Sequence, residues 1–257
     1  VQEENERKPY KVEITEVTDE NGDGRIDLSD VEYLMRNKKN TMTLLEGDGD
    51  FRSPECVELL KEADIVVTNP PFSLFRDYVA LLMQYNKQFA IIGNQNAITY
   101  REIFPLIKSN KIWLGYNNGH YWFMVPDSYE EKKTDFKIDE SGQKWRRMGN
   151  ICWFTNLDIE KRHENMTLFR TYSPDNYPKY DNYDAIEVSK TADIPCDYDG
   201  YMGVPITFMQ YYNPEQFEIA GLDDHRVEWV GHGPRLNGKV KYRRVIIRRK
   251  QVSTNEN

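Results

Sequence analysis

Cysteine is scarce in this chain and long apolar runs are missing. The three cysteines among 257 residues, Cys56, Cys152 and Cys196, stand far apart. That spacing excludes a disulfide framework and a cysteine zinc site, and it fits ordinary thiols in a reducing cytoplasm. No apolar stretch reaches the roughly 18 residues a membrane-spanning helix needs. An opening that carries Glu3, Glu4 and Glu6 does not read as a signal peptide. Histidine is thin as well, with His120, His163, His225 and His232 scattered so that none is assigned to catalysis or to a metal. Repeats and low-complexity linkers are absent. A net charge of −8 argues against non-specific coating of nucleic acid. Charge is segregated, however: Arg235, Lys239, Lys241, Arg243, Arg244, Arg248, Arg249 and Lys250 follow one another with no acid before Glu256.

What is present is enough chain for a substantial core, in one large domain or two smaller ones. Tyr10, Val12 and Ile14 alternate with Lys11, Glu13 and Thr15 as in a half-exposed strand. From Asp19 to Asp30, oxygen side chains stand at loop positions 1, 3, 5 and 12 with Gly24 at 6 and Ile26 at 8. Two readings are open: a calcium loop of the EF-hand or dockerin kind, or a polar surface hairpin turn built on Asn-Gly and Asp-Gly. Thr43 to Leu45 reads as a strand, followed by the acidic turn from Glu46 to Phe51 and a helix begun by Ser53 and Pro54. Asp64 to Thr68 then supplies a buried Ile-Val-Val strand. After it, Ser73 caps a helix with Phe75, Val79, Leu82 and Met83 at helical spacing. Phe89 to Asn94 is a further buried strand, Ile103 to Ile107 a short helix, and Ile112 to Leu114 and Ile151 to Thr155 are strands. Asn117 to Arg147 shows no period and reads as irregular; residues 172 to 201 read as a tyrosine-rich loop. Later elements are expected at Val204 to Phe208, Phe217 to Ala220, Val227 to Val230 and Val240 to Arg248. Alternation of strands and helices predicts an α/β fold with a parallel, doubly wound sheet, followed by β-rich and irregular elements.

The most informative stretch is the end of the Ile65 to Thr68 strand, where Asn69-Pro70-Pro71-Phe72 forces a stiff turn. In open α/β sheets the carboxyl ends of strands are where ligands bind. The turn suits methylation of an exocyclic amine on a base. Such an amine is a poor nucleophile because its lone pair is delocalised into the ring. Acceptors that hold its hydrogens favour the tetrahedral form, and the Asn69 side-chain oxygen and Pro70 carbonyl fit that task in a geometry set in advance by proline. Phe72 would stack on the planar base, and a base within a duplex must first be flipped out. A rigid structural turn with a core aromatic is the plainer alternative.

Asp64 to Phe72 resembles the catalytic motif of S-adenosylmethionine-dependent amino-methyltransferases. Gly49 to Glu55 through Asn69 to Phe72, continued by Ile91 to Asn94 and Ala97 to Tyr100, resembles the EcoRI-type family of adenine-specific DNA methyltransferases. Asp197 to Phe208 and Tyr212 to Phe217 resemble family segments too, so the similarity runs from about residue 44 to the basic C-terminal strand. The resemblance implies a Rossmann-like methyltransferase sheet, S-adenosylmethionine as cofactor, and methyl transfer to N6 of a flipped adenine in double-stranded DNA. It makes Asn69, Pro70, Pro71 and Phe72 the catalytic turn. It sets Asp50 and Phe51 at the adenine end of the cofactor, with a turn or capping aspartate as the other reading of Asp50. One departure is clear: no glycine-rich cofactor loop precedes residue 44, and an N-terminal segment is therefore expected beyond this chain.

Three regions follow: 1–40, a hairpin or calcium-loop-like insertion with part of the N-terminal region; 41–160, a partial catalytic core; and 161–257, a family-specific region for DNA contact. Within the last, Arg243, Arg244, Arg248 and Arg249 would either meet phosphates or form a solvated face over buried Val245, Ile246 and Ile247. Lys144, Arg146 and Arg147 are a second candidate for DNA contact. Methylation of RNA or of a protein glutamine, and a catalytically silent DNA-binding module, are the competing functions.

Overall fold

Alternating side chains at residues 10–13 and 41–44 build a two-stranded ladder in the computed structural model, which describes residues 8–36, 41–222 and 233–250. Strand β1 (Tyr10–Glu13) pairs antiparallel with β2 (Thr41–Leu44), Tyr10 opposite Leu44 and Glu13 opposite Thr41. Between them lies helix α1 (Leu28–Arg36), which buries Leu34. Helix α2 (Pro54–Glu62) follows, started by Ser53, whose Oγ accepts from the Cys56 amide at 3.3 Å, with Pro54 at the first helical position. These elements belong to the first of two compact units, residues 1–64; the second is 65–257. The strand near Thr43 does not open a parallel crossover as expected. Its ladder partner is the upstream β1, whose alternation matches it.

In the second unit, β3 (Ile65–Thr68), α3 (Phe75–Gln84), β4 (Gln88–Asn94), α4 (Phe104–Lys108), β5 (Trp113–Met124), β6 (Phe136–Ile138) and β7 (Lys144–Thr155) follow in order. The sheet runs β3-β4-β7-β5, with β6 also on β7. Only β3 and β4 pair in parallel; β7 is antiparallel to both β4 and β5, so β3, β4 and β5 point the same way. The expected parallel sheet is thus a mixed one. One face is filled by Phe89, Ile91, Cys152 and Phe154, with Phe75 of α3 against Phe154 at a ring separation of 5.0 Å. The other face is only partly covered, as the buried-to-half-buried alternation along β4 records.

Four sequence expectations need correction here. The Ile65 to Val67 strand is not buried: β3 is the edge strand, and Ile65 and Val67 on its open face are 49 % and 67 % exposed. Ser73 does not cap α3, because it lies inside a short 3-10 turn, Phe72–Leu74, that leads into the helix. Asn117 to Arg147 is irregular only in its middle; its two ends lie in the antiparallel ladder of β5 and β7 and Phe136–Ile138 forms β6, a pairing whose mixed polar and aromatic residues hid the period. The basic C-terminal run is also paired within the fold, as described below.

A second sheet runs β10-β13-β9-β8, built from β8 (Ala185–Glu187), β9 (Tyr201–Val204), β10 (Phe217–Leu222) and β13 (Val245–Arg249). β11 (Arg235–Leu236) and β12 (Lys239–Val240) form a short hairpin. Val245, Ile246 and Ile247 of β13 are buried inside the four-stranded sheet, as their apolar run requires. The strand expected at Val227 to Val230, and His225 and His232, lie outside the described residues. Among the described residues no helix is long and apolar enough to cross a membrane.

Candidate active site

The parallel register sets Thr68 beside Ile91, so the residues that follow each strand, Asn69 to Phe72 and Gln95 to Thr99, emerge at the same end of the sheet. Two prolines stop β3 there. Pro70 is buried, Asn69 is exposed, and Phe72 remains 42 % exposed, so the amide and the ring face outward from a fixed base. The turn closes by a bond from the Leu74 amide to the Pro71 carbonyl at 2.9 Å.

Beside it, β4 carries Gly93 as its penultimate residue. A Cβ there would sit 2.5 Å from the Phe75 ring and 2.9 Å from that of Phe154, so only glycine lets the strand pass this packed pair. Asn94 accepts from the Asn96 amide at 2.9 Å and starts the 3-10 turn Gln95–Thr99. Gln95 is 7 % exposed, and its Nε2 is buried with no hydrogen-bond partner. Buried amides are nearly always paired, so this donor stands out. Thr99 Oγ1 accepts from Arg243 at 2.8 Å, and Arg76 lies over the Tyr100 ring at 5.7 Å. Sequence reasoning missed Gln95, Thr99 and Arg243 as neighbours of this end; the Gly-Asn strand terminus was the available signal.

Asp50 and Phe51 belong to the first unit and are brought together with Arg52. The Asp50 carboxylate accepts from Arg52 Nε at 2.9 Å, Nη2 at 2.7 Å and the Arg52 amide at 2.8 Å. These hydrogen bonds, with the guanidinium charge, hold its pKa down to about 2. The Arg52 guanidinium also lies 5.2 Å from the Phe51 ring centre. Gly49, at φ 77°, makes the preceding bend, where a Cβ would come within 2.8 Å of Pro9.

The Asp19 to Asp30 loop closes on itself. Asp19 accepts from the amides of Gly22, Asp23 and Gly24, and the fully buried Asp30 from those of Glu20, Asn21 and Asp27. Those backbone bonds, the one from Asp27 foremost, outweigh burial and lower the Asp30 pKa. The three cysteines are unpaired, and burial pushes the Cys152 thiol up to about 12, which keeps it protonated.

The basic C-terminal strand does not present four free arginines. Arg244 is buried against Glu187, Arg248 pairs with Glu218 at 2.7 Å, Arg249 donates to the Cys196 carbonyl, and Arg243 is held by Thr99. The buried Val-Ile-Ile run fixes the register that makes these pairings.

A stiff Asn-Pro-Pro-Phe turn thus ends β3 at the edge of a mixed sheet, and comparison with known proteins gives the class. Residues 1–250 match the family described as adenine-specific methyltransferase EcoRI, and the chain belongs to that family. It is 51 % identical over 214 residues to the type II methyltransferase M.EcoRI of Escherichia coli, covering 80 % of this chain and 64 % of that protein. Type II methyltransferase M.MgeORF184P of Mycoplasma genitalium is 42 % identical over 240 residues, covering 86 % and 75 % of the two chains. For M.MpnI of Mycoplasma pneumoniae the identity is 41 % over 229 residues, covering 80 % and 70 %. The chain therefore spans less than two thirds of the length of M.EcoRI. No solved structure matches it.

Proposed function

We propose that this chain carries the amine-holding half of an S-adenosylmethionine-dependent enzyme that methylates N6 of a flipped adenine in double-stranded DNA. The observation that carries the reading is the exposed Asn69 and Phe72 on the buried Pro70 base at the carboxyl end of β3. Asn69 Oδ1 and the Pro70 carbonyl accept the two amine hydrogens, which frees the nitrogen lone pair for attack. Phe72 stacks on the base and holds its plane, and the proton leaves after transfer. S-adenosylmethionine, when bound, supplies the electrophilic methyl group. Asp50 and Phe51 would hold its adenine end: Asp50 stays ionised beside Arg52 and so keeps acceptor capacity for an exocyclic amine, and the Phe51 ring supplies a flat apolar surface. The common direction of β3, β4 and β5 supports a Rossmann-like methyltransferase sheet, of which these strands are one part. Three unpaired thiols suit work in a reducing cytoplasm.

The family description favours adenine over glutamine or RNA as acceptor. The test is transfer of labelled methyl from S-adenosylmethionine to duplex DNA, RNA and protein by the full-length protein containing this chain. Label should enter adenine N6 of DNA, and Asn69→Ala should abolish it. No transfer to any DNA would sink the proposal.

A further inference from the structure

The β5–β7 ladder does more than complete the sheet. β7 leaves β4 at Ile151, opposite Asn94, the last residue of β4. From there Lys144 to Met148 continue, paired with β5 on one side and β6 on the other. The six residue steps from Ile151 back to Trp145 extend the arm roughly 20 Å, at about 3.3 Å per residue, past the sheet. It extends at the carboxyl end of β4, the end that bears the Asn69 turn. A bulge sets its direction: Gly119 faces Ile151 and Tyr121 faces Met148, so Gly149 and Asn150 oppose a single residue, and Asn150 takes φ 57°.

Register assigns one face of the arm to Trp122, Arg147, Met124, Trp145 and Lys137. Lys137 Nζ lies 4.7 Å from the Trp122 ring centre and 5.7 Å from that of Trp145. Met124 is 66 % exposed. Asp139 accepts from Trp145 Nε1 at 2.8 Å and from Ser141 and Gln143, closing the β6–β7 turn. Asp135 meets Arg147 only in a loose, exposed pair at 3.7 Å. The outward face is thus apolar and aromatic with cations at its margin.

We infer that this arm is the groove-reading element of the protein, and that its Trp122-Met124-Arg147-Lys137 face seats in a groove of the double-stranded DNA that delivers adenine to Asn69. The inference rests on the methyltransferase reading for the position of the duplex. Strands and small sheets read DNA grooves in known binding proteins, and β5, β7 and β6 together present this face at the end of the arm. Lys137 and Arg147 meet phosphates, while Trp122 and Met124 make apolar contact with base edges or wedge between base steps.

The experiment measures duplex binding by fluorescence anisotropy across a salt series, alongside steady-state methylation, for the full-length protein and its Trp122→Ala, Arg147→Ala and Lys137→Ala variants, with melting curves as a folding control. Each variant should weaken duplex binding about tenfold and raise the KM for DNA far more than it lowers kcat. Arg147→Ala and Lys137→Ala should each flatten the slope of log affinity against log salt by about one. If folded variants bind with unchanged affinity and slope while Asn69→Ala abolishes transfer, the arm reading falls and the methyltransferase reading stands. If the variants lose binding but the parent methylates no DNA, the arm reading stands and the methyltransferase reading falls. A parent protein that binds no duplex overturns the arm reading outright.

Discussion

Arg244 grips Glu187 with two prongs inside the second sheet's unit, Nη2 to Oε1 at 2.6 Å and Nε to Oε2 at 3.2 Å, with only 11 % and 3 % of the two side chains exposed. Tyr180 also donates to this carboxylate, and Ser189 bonds it at 3.3 Å. Removing one partner leaves the other charge buried and uncompensated, at a cost of about 3–5 kcal/mol. Arg244→Ala should therefore lower stability by that amount in urea unfolding, and much more than Arg248→Ala, whose pair is solvent-exposed.

The same pair makes stability acid-sensitive. Burial alone would raise the Glu187 pKa, but bonds from Arg244 and Tyr180 and the guanidinium charge outweigh it and bring it below the ordinary value. A carboxylate with a depressed folded pKa contributes stability above its unfolded pKa, and that contribution is lost as pH falls through the lowered folded value. Unfolding midpoints should hold steady above about pH 5 and drop below about pH 4. Comparing Glu187→Gln with the parent in an acid titration checks this: the variant should start lower and lose less.

Gly93→Ala should destabilise by about 1–3 kcal/mol, because the new methyl must displace the rings of Phe75 and Phe154. Thermal melting reads it. Adding Phe75→Leu to Gly93→Ala should cost less than the two changes summed, since the second relieves the clash made by the first.

Phe72→Ala should leave the melting temperature nearly unchanged, because the ring is substantially exposed. In the proposed role it removes a base-stacking contact worth about 1–3 kcal/mol. Methylation efficiency, kcat/KM, should fall roughly 5- to 150-fold, and Phe72→Tyr should restore most of it.

The element types of the core were legible because short Ile/Val runs bounded by Pro, Gly and Asn leave little choice: β3, β4 and the end of β7 all follow that rule. Ser53-Pro54 marked α2 equally well, since a hydroxyl cap and a fixed φ are local devices. Pairing was not legible. That β7 inserts antiparallel between β4 and β5 depends on contacts some 60 residues apart, for which local periodicity carries no signal. The arm escaped notice because both its faces carry aromatic and charged side chains, which blurs the alternation of a half-buried strand. In the candidate site, the turn itself was readable from two prolines, whereas Gln95 was not, because an unpaired buried amide is a property of its surroundings. Arg243, Arg244, Arg248 and Arg249 read as a basic footprint; the acidic partners of Arg244 and Arg248, Glu187 and Glu218, lie 57 and 30 residues away in sequence.

The departure of β7 from β4 at Ile151 separates two inheritances. Distal to that point, no ladder hydrogen bond of the arm is shared with β3 or β4, and the bulge at Asn150 absorbs mismatch before it reaches the strands that fix Asn69. Paired insertions, deletions or side-chain exchanges between Tyr121 and Met148 can therefore accumulate without loosening the turn. What the arm touches and what the turn does are free to drift apart, so relatives with the same chemistry can diverge in this one projecting ribbon.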